Sequence, residues 1–249
     1  MSLSVVLIAR DEETDLPACL ESVKDIADEI VLLDSGSTDK TKEIALSFNA
    51  KFSERPFDDF ASQKQAAVDL ATGDWILSLD ADERVTPELA EEIREVIKTE
   101  RSDAFDIPFQ VWFLGKRLRF GGLGREHHVR LFRAGKGHFG GKQLHEGIVV
   151  EGTTSRTVNA ITHIPYRNLN EYLEKMTVYT ERAARKRFEN GKRFHIGYHL
   201  LPVWEFFMRA FLKLGILDGF PGILWAGLSA FHSWLKYAKL REIEREAGA

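Results

Sequence analysis

The sequence predicts an α/β protein with a mainly parallel sheet, a mixed extension of that sheet and a helical C-terminal region. Three observations carry this expectation. Over the first hundred residues, short β-branched runs alternate with helical stretches, the pattern of a parallel sheet covered on both faces. Acidic and small polar clusters follow those runs, where open parallel sheets bind ligands. From about Leu169 the periodicity is helical to the end.

Each element has its own signal. Ser4 to Ala9 is an unbroken apolar run and reads as a buried strand, and Asp15 with Pro17 opens a helix carrying Leu16, Leu20, Val23 and Ile26. Glu29 to Leu33 is a second strand, ending in the polar run Asp34 to Asp39. A helix to about Phe48 and a short strand near Ala50 to Ser53 follow; Phe60 to Ala71 is helical until Thr72-Gly73 stops it. Trp75 to Leu79 is the next buried strand, ending in Asp80-Ala81-Asp82-Glu83, and Thr86 caps a helix with Pro87 in its first turn. Ala104 to Leu114, Val129 to Arg133, Ile148 to Val150 and Thr157 to His163 read as strands joined through glycines, hence a mixed extension. Leu169 to Asn190 is a helix, and two further helical segments complete the chain.

Composition narrows the class. With 249 residues and 44% hydrophobic content the chain builds a sizeable core, which excludes disordered, collagen-like and coiled-coil readings. One cysteine, Cys19, leaves no intrachain disulfide and no thiolate metal cluster, and points to a reducing compartment. The first residues turn acidic too soon for a secretory signal. The net charge of −4 is divided: Met1 to Asp106 holds 26 acidic and 11 basic residues, Ile107 to Ala249 holds 12 and 23. An acidic first part suits cation chemistry and a basic second part suits anionic partners, against the alternative of solvated helix faces.

Motifs for several chemistries are missing or misplaced. There is no phosphate-binding G-x-x-x-x-G-K-[ST] loop and no G-x-S-x-G elbow, and His145-Glu146 lacks the second histidine of a zinc protease. Gly135 to Gly140 matches G-x-G-x-x-G but lies between two predicted strands, so it reads as a turn. What stands out is Asp80 and Asp82, two carboxylates flanking one alanine at a strand end, able to share a hard divalent cation such as Mn2+ or Mg2+. Asp39, by contrast, reads equally well as a helix cap.

SVVLIARDEE, EIVLLDSGSTDKT and ATGDWILSLDADE resemble the three successive signatures of family 2 glycosyltransferases of the GT-A fold, which has a Rossmann-like sheet. HVRLFR, LHEG, the YLEKMTVYTERAARKRFENGK helix and KLGILDGFPG are similar to the lipopolysaccharide-core, β-1,4-glucosyltransferase-like subgroup. The resemblance implies an inverting, metal-dependent enzyme that moves a sugar, glucose by analogy, from a UDP-linked donor to a lipid-linked saccharide. It implies a catalytic domain over 1–165, with a nucleotide-binding half to about 106 and an acceptor half beyond, and a C-terminal extension over 166–249. Ala9, Arg10 and Glu12 would line base and ribose, Asp34 the base edge, with Gly36 and Ala81 in the same donor site. Asp82 would touch the metal directly and Asp80 would lie nearer the ribose. Gln63 and Lys64 occupy the place of a polar pair beside the nucleotide, or else an exposed helix face. Arg10-Asp11 replaces the commoner Asn of the first signature, a departure from the pattern.

The acceptor hydroxyl needs a carboxylate base. The Glu-Asp pair many relatives use is absent, and Glu146, the lone acid between Lys142 and Val150, is the candidate; a strand-edge surface acid is the alternative. His145 is a candidate for metal or diphosphate, or a structural histidine. Two basic groups, one holding Arg125 and Arg130 and the other Arg182 to Arg193, lack the aromatic interleaving of a nucleic-acid platform. A phosphate-rich acceptor or an anionic membrane face suits them better. Leu200 to Leu217 is apolar with charges at helical spacing; Gly219 to Leu235 is uncharged but short for a span and interrupted by Pro221, Gly222 and Gly227. These segments either lie on a membrane or cover the domain, which puts the expected location at the cytoplasmic face of the inner membrane. The rival readings are a polyprenyl-phosphate glycosyltransferase, a silent carbohydrate- or membrane-binding protein, and a nucleotidyltransferase.

Overall fold

A computed structural model describes residues 1–99, 101–124, 126–140 and 147–248. The strands are β1 (Leu3–Ala9), β2 (Glu29–Asp34), β3 (Lys51–Glu54), β4 (Trp75–Leu79), β5 (Glu83–Val85), β6 (Ala104–Phe113), β7 (Lys116–Arg117), β8 (His127–Arg133), β9 (Gly137–Phe139), β10 (Ile148–Val150), β11 (Thr154–Arg156) and β12 (Ile161–His163). The helices are α1 (Leu16–Val23), α2 (Thr41–Ser47), α3 (Phe60–Asp69), α4 (Pro87–Thr99), α5 (Leu169–Glu189), α6 (Leu200–Phe207) and α7 (Phe220–Ala247). The chain divides into two compact units, Met1–Phe109 with Arg125–His163, and Gln110–Gly124 with Ile164–Ala249.

In the first unit β3, β2, β1 and β4 lie side by side and parallel. β8 then runs antiparallel to β4, and β6 antiparallel to β8, with β12 and β5 beyond, so the sheet is mixed. Successive β1 side chains enter different cores. Leu3, Val5 and Leu7 join Leu16, Leu20, Leu89 and Ile93 of α1 and α4, whereas Val6 joins Ala67 and Val68 of α3. Burial on both faces is why this strand reads as a continuous apolar run. Asp59 caps α3 by accepting the Ser62 N–H at 2.9 Å, and Thr86 Oγ1 accepts the Leu89 N–H at 3.2 Å at the start of α4.

Two expectations change. Residues 157–163 are not one strand, because Thr157 Oγ1 donates to Asn159 O at 2.9 Å and Glu92 takes the Val158 and Asn159 N–H groups at 2.8 Å each. That turn leaves β12 only three residues. Pro221, Gly222 and Gly227 do not interrupt α7, which runs 28 residues. Pro221 sits in its first turn, where no N–H is needed. A Cβ on Gly222 would lie 2.0 Å from the Gly215 carbonyl oxygen, so glycine there permits a close approach of backbones. The stretch from Gly135 is the expected turn, with Gly135 at φ +76° between β8 and β9.

In the second unit the end of β6 forms a hairpin with β7 through Leu114 and Gly115, both at positive φ. Helices α5 and α6 pack on α7. Phe113, Leu118, Tyr172 and Met176 form the core with Trp225 and Leu228. Buried Asp218 accepts the Arg119 and Phe120 N–H groups at 2.9 Å each, and its carbonyl accepts from Lys116 Nζ at 2.7 Å. Among the described residues no helix is long and apolar enough to cross a membrane.

The start of α5 carries a testable electrostatic device. Asn168 caps it, and Glu171 accepts from the Arg167 N–H at 2.9 Å, Arg167 Nε at 3.0 Å and Lys175 Nζ at 2.9 Å. Partial burial opposes ionisation, but the Lys175 and Arg167 donors outweigh it and hold the carboxyl at about 2 against an ordinary 4.5. A depressed carboxyl stabilises the fold above pH 4.5, and that contribution is lost as pH falls through about 2. Glu171→Gln is expected to cost about 1 kcal/mol at pH 7 in urea denaturation, with the gap to wild type narrowing by pH 3.

Candidate active site

The site grows from the carboxyl end of β4, where the chain turns sharply: the Glu83 N–H donates to the Asp80 carbonyl at 3.0 Å and the Asp80 N–H donates to Glu83 Oε2 at 3.1 Å. Asp80 is flanked by two cations from distant elements. Lys64 Nζ on α3 lies 2.6 Å from its Oδ1, and an Arg130 amino group on β8 lies 3.0 Å from its Oδ2. Arg130 also pairs with Glu83, and its guanidinium lies 5.4 Å from the Phe109 ring centroid.

Burial governs the charges here. Burial alone would push Asp80 up, but the Arg130 and Lys64 charges outweigh it and hold the carboxyl well below the usual range. At Glu83 burial, aided by the Asp80 charge, outweighs Arg130 and His163 and pushes the carboxyl up. Arg130 gains in the opposite sense: burial disfavours its charge, and Glu83 with Asp80 more than restores it.

Asp82 takes different partners. Its Oδ2 lies 3.4 Å from His163 Nε2 on β12, and its carbonyl accepts from Arg84 at 3.3 Å. Burial works against protonating His163, but Asp82 outweighs it and raises the imidazole. Phe109 stands edge-on to both His163 and His128, at 5.9 and 5.2 Å between ring centroids, and His128 Nε2 lies 3.3 Å from Glu126. Among the described residues no three His, Cys, Asp or Glu side chains converge on one point. The Asp82–His163 pair still fits two ligands of a divalent cation: an oxygen and an imidazole nitrogen close together, with His163 Nδ1 buried and without a partner among the described residues. Asp80 fits less well, since both its oxygens meet cations.

At the ends of β1 and β2 the loops are laced together. Asp34, 2% exposed, accepts the Gly36 and Ser37 N–H groups at 2.8 Å each, and Gly36 has φ +88°. The Asp11 N–H donates to Ser37 Oγ, its Oδ1 accepts the Thr38 N–H, and the Glu12 N–H donates to Thr41 Oγ1, all at 2.8 Å. Asp39 accepts the Thr41 and Glu13 N–H groups at 2.9 Å and so ties the start of α2 to the loop after β1, while the cap position of α2 itself is Lys40, without a side-chain bond. Ala9 and Ala81 are buried and Arg10 is exposed. Gln63 is not on an exposed face: it is fully buried, donating to Ser35 Oγ at 3.0 Å and accepting from Arg55 at 2.6 Å.

Of the residues singled out by sequence, Lys64, Asp80 and Arg130 meet directly, Arg130 against carboxylates. Glu146, His145 and Arg125 lie outside the described residues. Sequence reasoning missed His163 and Phe109, and placed Glu83 only within the acidic cluster after β4 without a role of its own. Glu83 directly follows the Asp pair and was available as a third acid; nothing local marks His163, which reaches Asp82 through the β12–β5 pairing.

The model of glycosyl transferase family 2 matches residues 4–158. The chain belongs to that family. It is 28% identical to the lipopolysaccharide core biosynthesis glycosyltransferase LpsC of Rhizobium meliloti, covering 96% of this chain and 92% of that protein. It is 27% identical to a glycosyltransferase of Rickettsia typhi, over 97% of this chain and 87% of that one. S. aureus TarS 1-349 shares the fold, with a TM-score of 0.50 at 14% identity, over 99% of this chain and 92% of that one. The fold is therefore GT-A, and the family 2 segment includes Asp34, Lys64, Asp80, Asp82 and Arg130 but ends before His163.

The Arg130–Glu83 contact gives a direct check on this geometry. Removing one partner strands a buried charge, so Arg130→Met is expected to destabilise the protein by about 3–5 kcal/mol. Adding Glu83→Gln should recover part of that loss, with a coupling of about 1–3 kcal/mol in a double-mutant cycle read by urea denaturation. Simple additivity would show that the two side chains do not meet.

Proposed function

We propose that this family 2 chain is an inverting, divalent-cation-dependent glycosyltransferase that uses a UDP-sugar, with glucose as the expected sugar. Its acceptor is a lipid-linked saccharide of the lipopolysaccharide-core kind, met at the cytoplasmic face of the membrane. The observation that carries the reading is the carboxyl end of β4, where an Asp80 held ionised by Lys64 and Arg130 stands two residues from Asp82, itself paired with His163. The name of the LpsC relative supports the acceptor class. The resemblance of the SVVLIARDEE and DSGSTDKT segments to family 2 signatures is what favours uridine.

Transfer breaks the bond from the anomeric carbon to a diphosphate oxygen while an acceptor oxygen bonds from the opposite face. Negative charge grows on the departing diphosphate. A divalent cation, Mn2+ or Mg2+, held by Asp82 and His163 would supply neutralisation there. Lys64 and Arg130 keep Asp80 charged and fixed in direction, so it reaches the donor ribose without reorganising. The laced loops from Ala9 to Glu12 and Asp34 to Thr38 receive the base, with Gly36 allowing close approach. Glu146 takes the acceptor proton, and Arg125 meets acceptor phosphate. Two other carboxylates of the first unit already have partners: Asp106 pairs with Arg156 and His127 at 2.8 Å each, and Glu126 with His128.

Two experiments test this reading. EDTA should abolish sugar transfer, and Mn2+ or Mg2+ should restore it. Asp82→Asn should cost about a hundredfold or more in rate, while His163→Ala should raise the metal concentration needed for half activity. Full turnover in EDTA would remove the metal from the scheme. Separately, Glu146→Gln should leave UDP binding by calorimetry intact and slow transfer by roughly a hundredfold to ten-thousandfold. Near-normal transfer would move the base elsewhere, and lost UDP binding would put Glu146 in the donor site.

A further inference from the structure

The second unit carries an apolar surface that its own core does not use. After α6, a π-helical turn over Met208–Leu212 and a 3-10 turn over Gly215–Asp218 bend the chain back to α7. The outer side of this elbow is apolar and open: Leu200 and Phe220 are each 71% exposed, Val203 69%, Leu212 59% and Trp204 54%. The exposed rings are contiguous, with Trp204 6.1 Å and Phe211 5.4 Å from Phe207 between centroids. Monomeric proteins rarely leave a continuous apolar surface of this kind to water.

The backbone is shaped to present it. Leu214 is held at φ +56°, a left-handed conformation that a leucine adopts at a cost and a glycine would adopt freely. It is nevertheless a leucine, 48% exposed at the bend. From inside, the elbow is anchored by Asp218 to the Arg119 and Phe120 N–H groups and by Arg209 Nη1 to the Gly121 carbonyl at 3.1 Å. The outward apolar side chains are therefore not needed to hold the bend.

We infer that this elbow is an interfacial docking surface for an anionic phospholipid bilayer, its aromatic and aliphatic side chains entering the headgroup layer. Charge selects this occupant. The unit containing the elbow holds 17 Lys and Arg against 9 Asp and Glu; Lys213 within the elbow is exposed, as are Lys192 and Arg193 in the segment between α5 and α6. A second copy of the same face would bring like charges together, whereas an anionic leaflet attracts them. Exposed Trp and Phe suit the bilayer interface, and the short helices, with no membrane-crossing span among the described residues, suit a protein that lies on it. The inference deepens the reading of a lipid-linked acceptor by naming a surface, and it stands on that surface's own chemistry.

The test is co-sedimentation of the full chain with vesicles of phosphatidylcholine alone or with about a third phosphatidylglycerol. Binding is expected to the anionic vesicles, to weaken with added salt, and to be slight with phosphatidylcholine alone. Trp204→Ser with Leu212→Ser should reduce partitioning by about tenfold or more, with circular dichroism and UDP binding unchanged. Lys213→Glu should weaken binding at low salt and matter little at high salt. Wild type left in the supernatant with anionic vesicles overturns the inference, as does a concentration-dependent dimer that the serine pair dissolves. Vesicle binding without sugar transfer would sink the transferase reading and leave the surface standing; transfer to a detergent-dispersed acceptor without vesicle binding would do the reverse.

Discussion

A charge at the end of a central strand must be met by partners, and at Asp80 the first unit meets it with two cations. Lys64 comes from α3, the helix that covers one face of the parallel strands, and Arg130 from β8, the first antiparallel strand beside β4. Neither cation is a neighbour in sequence, so the charge is tolerable only once α3 is docked and the mixed extension has paired. Removing either leaves Asp80, a third exposed to solvent, with one cation where it now has two. The antiparallel extension, which could pass for decoration on a parallel sheet, supplies the arginine.

The same economy explains the acidic first part of the chain. Only a few of its carboxylates face the site. Asp28 accepts the Leu3 N–H and Asp74 the Ser2 N–H, each at 2.8 Å, while Asp103 accepts the Thr153 N–H at 2.9 Å. Glu92 holds the turn before β12 and Asp39 the start of α2. These acids satisfy backbone donors at strand starts and turns, where an unmade hydrogen bond is costly. Part of the charge imbalance therefore reflects loop construction, and the cation chemistry rests on position rather than on the number of acids.

What could be read from sequence follows the range of the interactions. β1, β2 and β4, the capped α4 and the Asp80–Asp82 pair are set by local runs and spacing, and they stand where the residues imply. Gln63 could not be placed that way: it looks like a surface helix residue, yet it bonds Ser35 and Arg55 across two loops and is buried. His163 is a further case, since its approach to Asp82 depends on a three-residue strand pairing with β5. Gly222 shows how a local rule misleads: glycine weakens an isolated helix, but in α7 it admits the Gly215 carbonyl and the helix continues. Periodicity reports which face is covered, and not what covers it.

The elbow of the second unit completes this logic from the other direction. In a core, apolar side chains hold the bend and polar groups are paired as best they can. Here a buried carboxylate, Asp218, and a guanidinium, Arg209, hold the bend through backbone groups of the 119–121 segment, and the apolar side chains point outward. Polar fastening inside and apolar exposure outside is the inverse of ordinary domain construction. An inversion of that kind is stable in water only because the fastening does not depend on burying the exposed side chains. It leaves them at liberty to meet a solvent other than water, and the excess of basic groups in the same unit determines which sign of surface that solvent must carry.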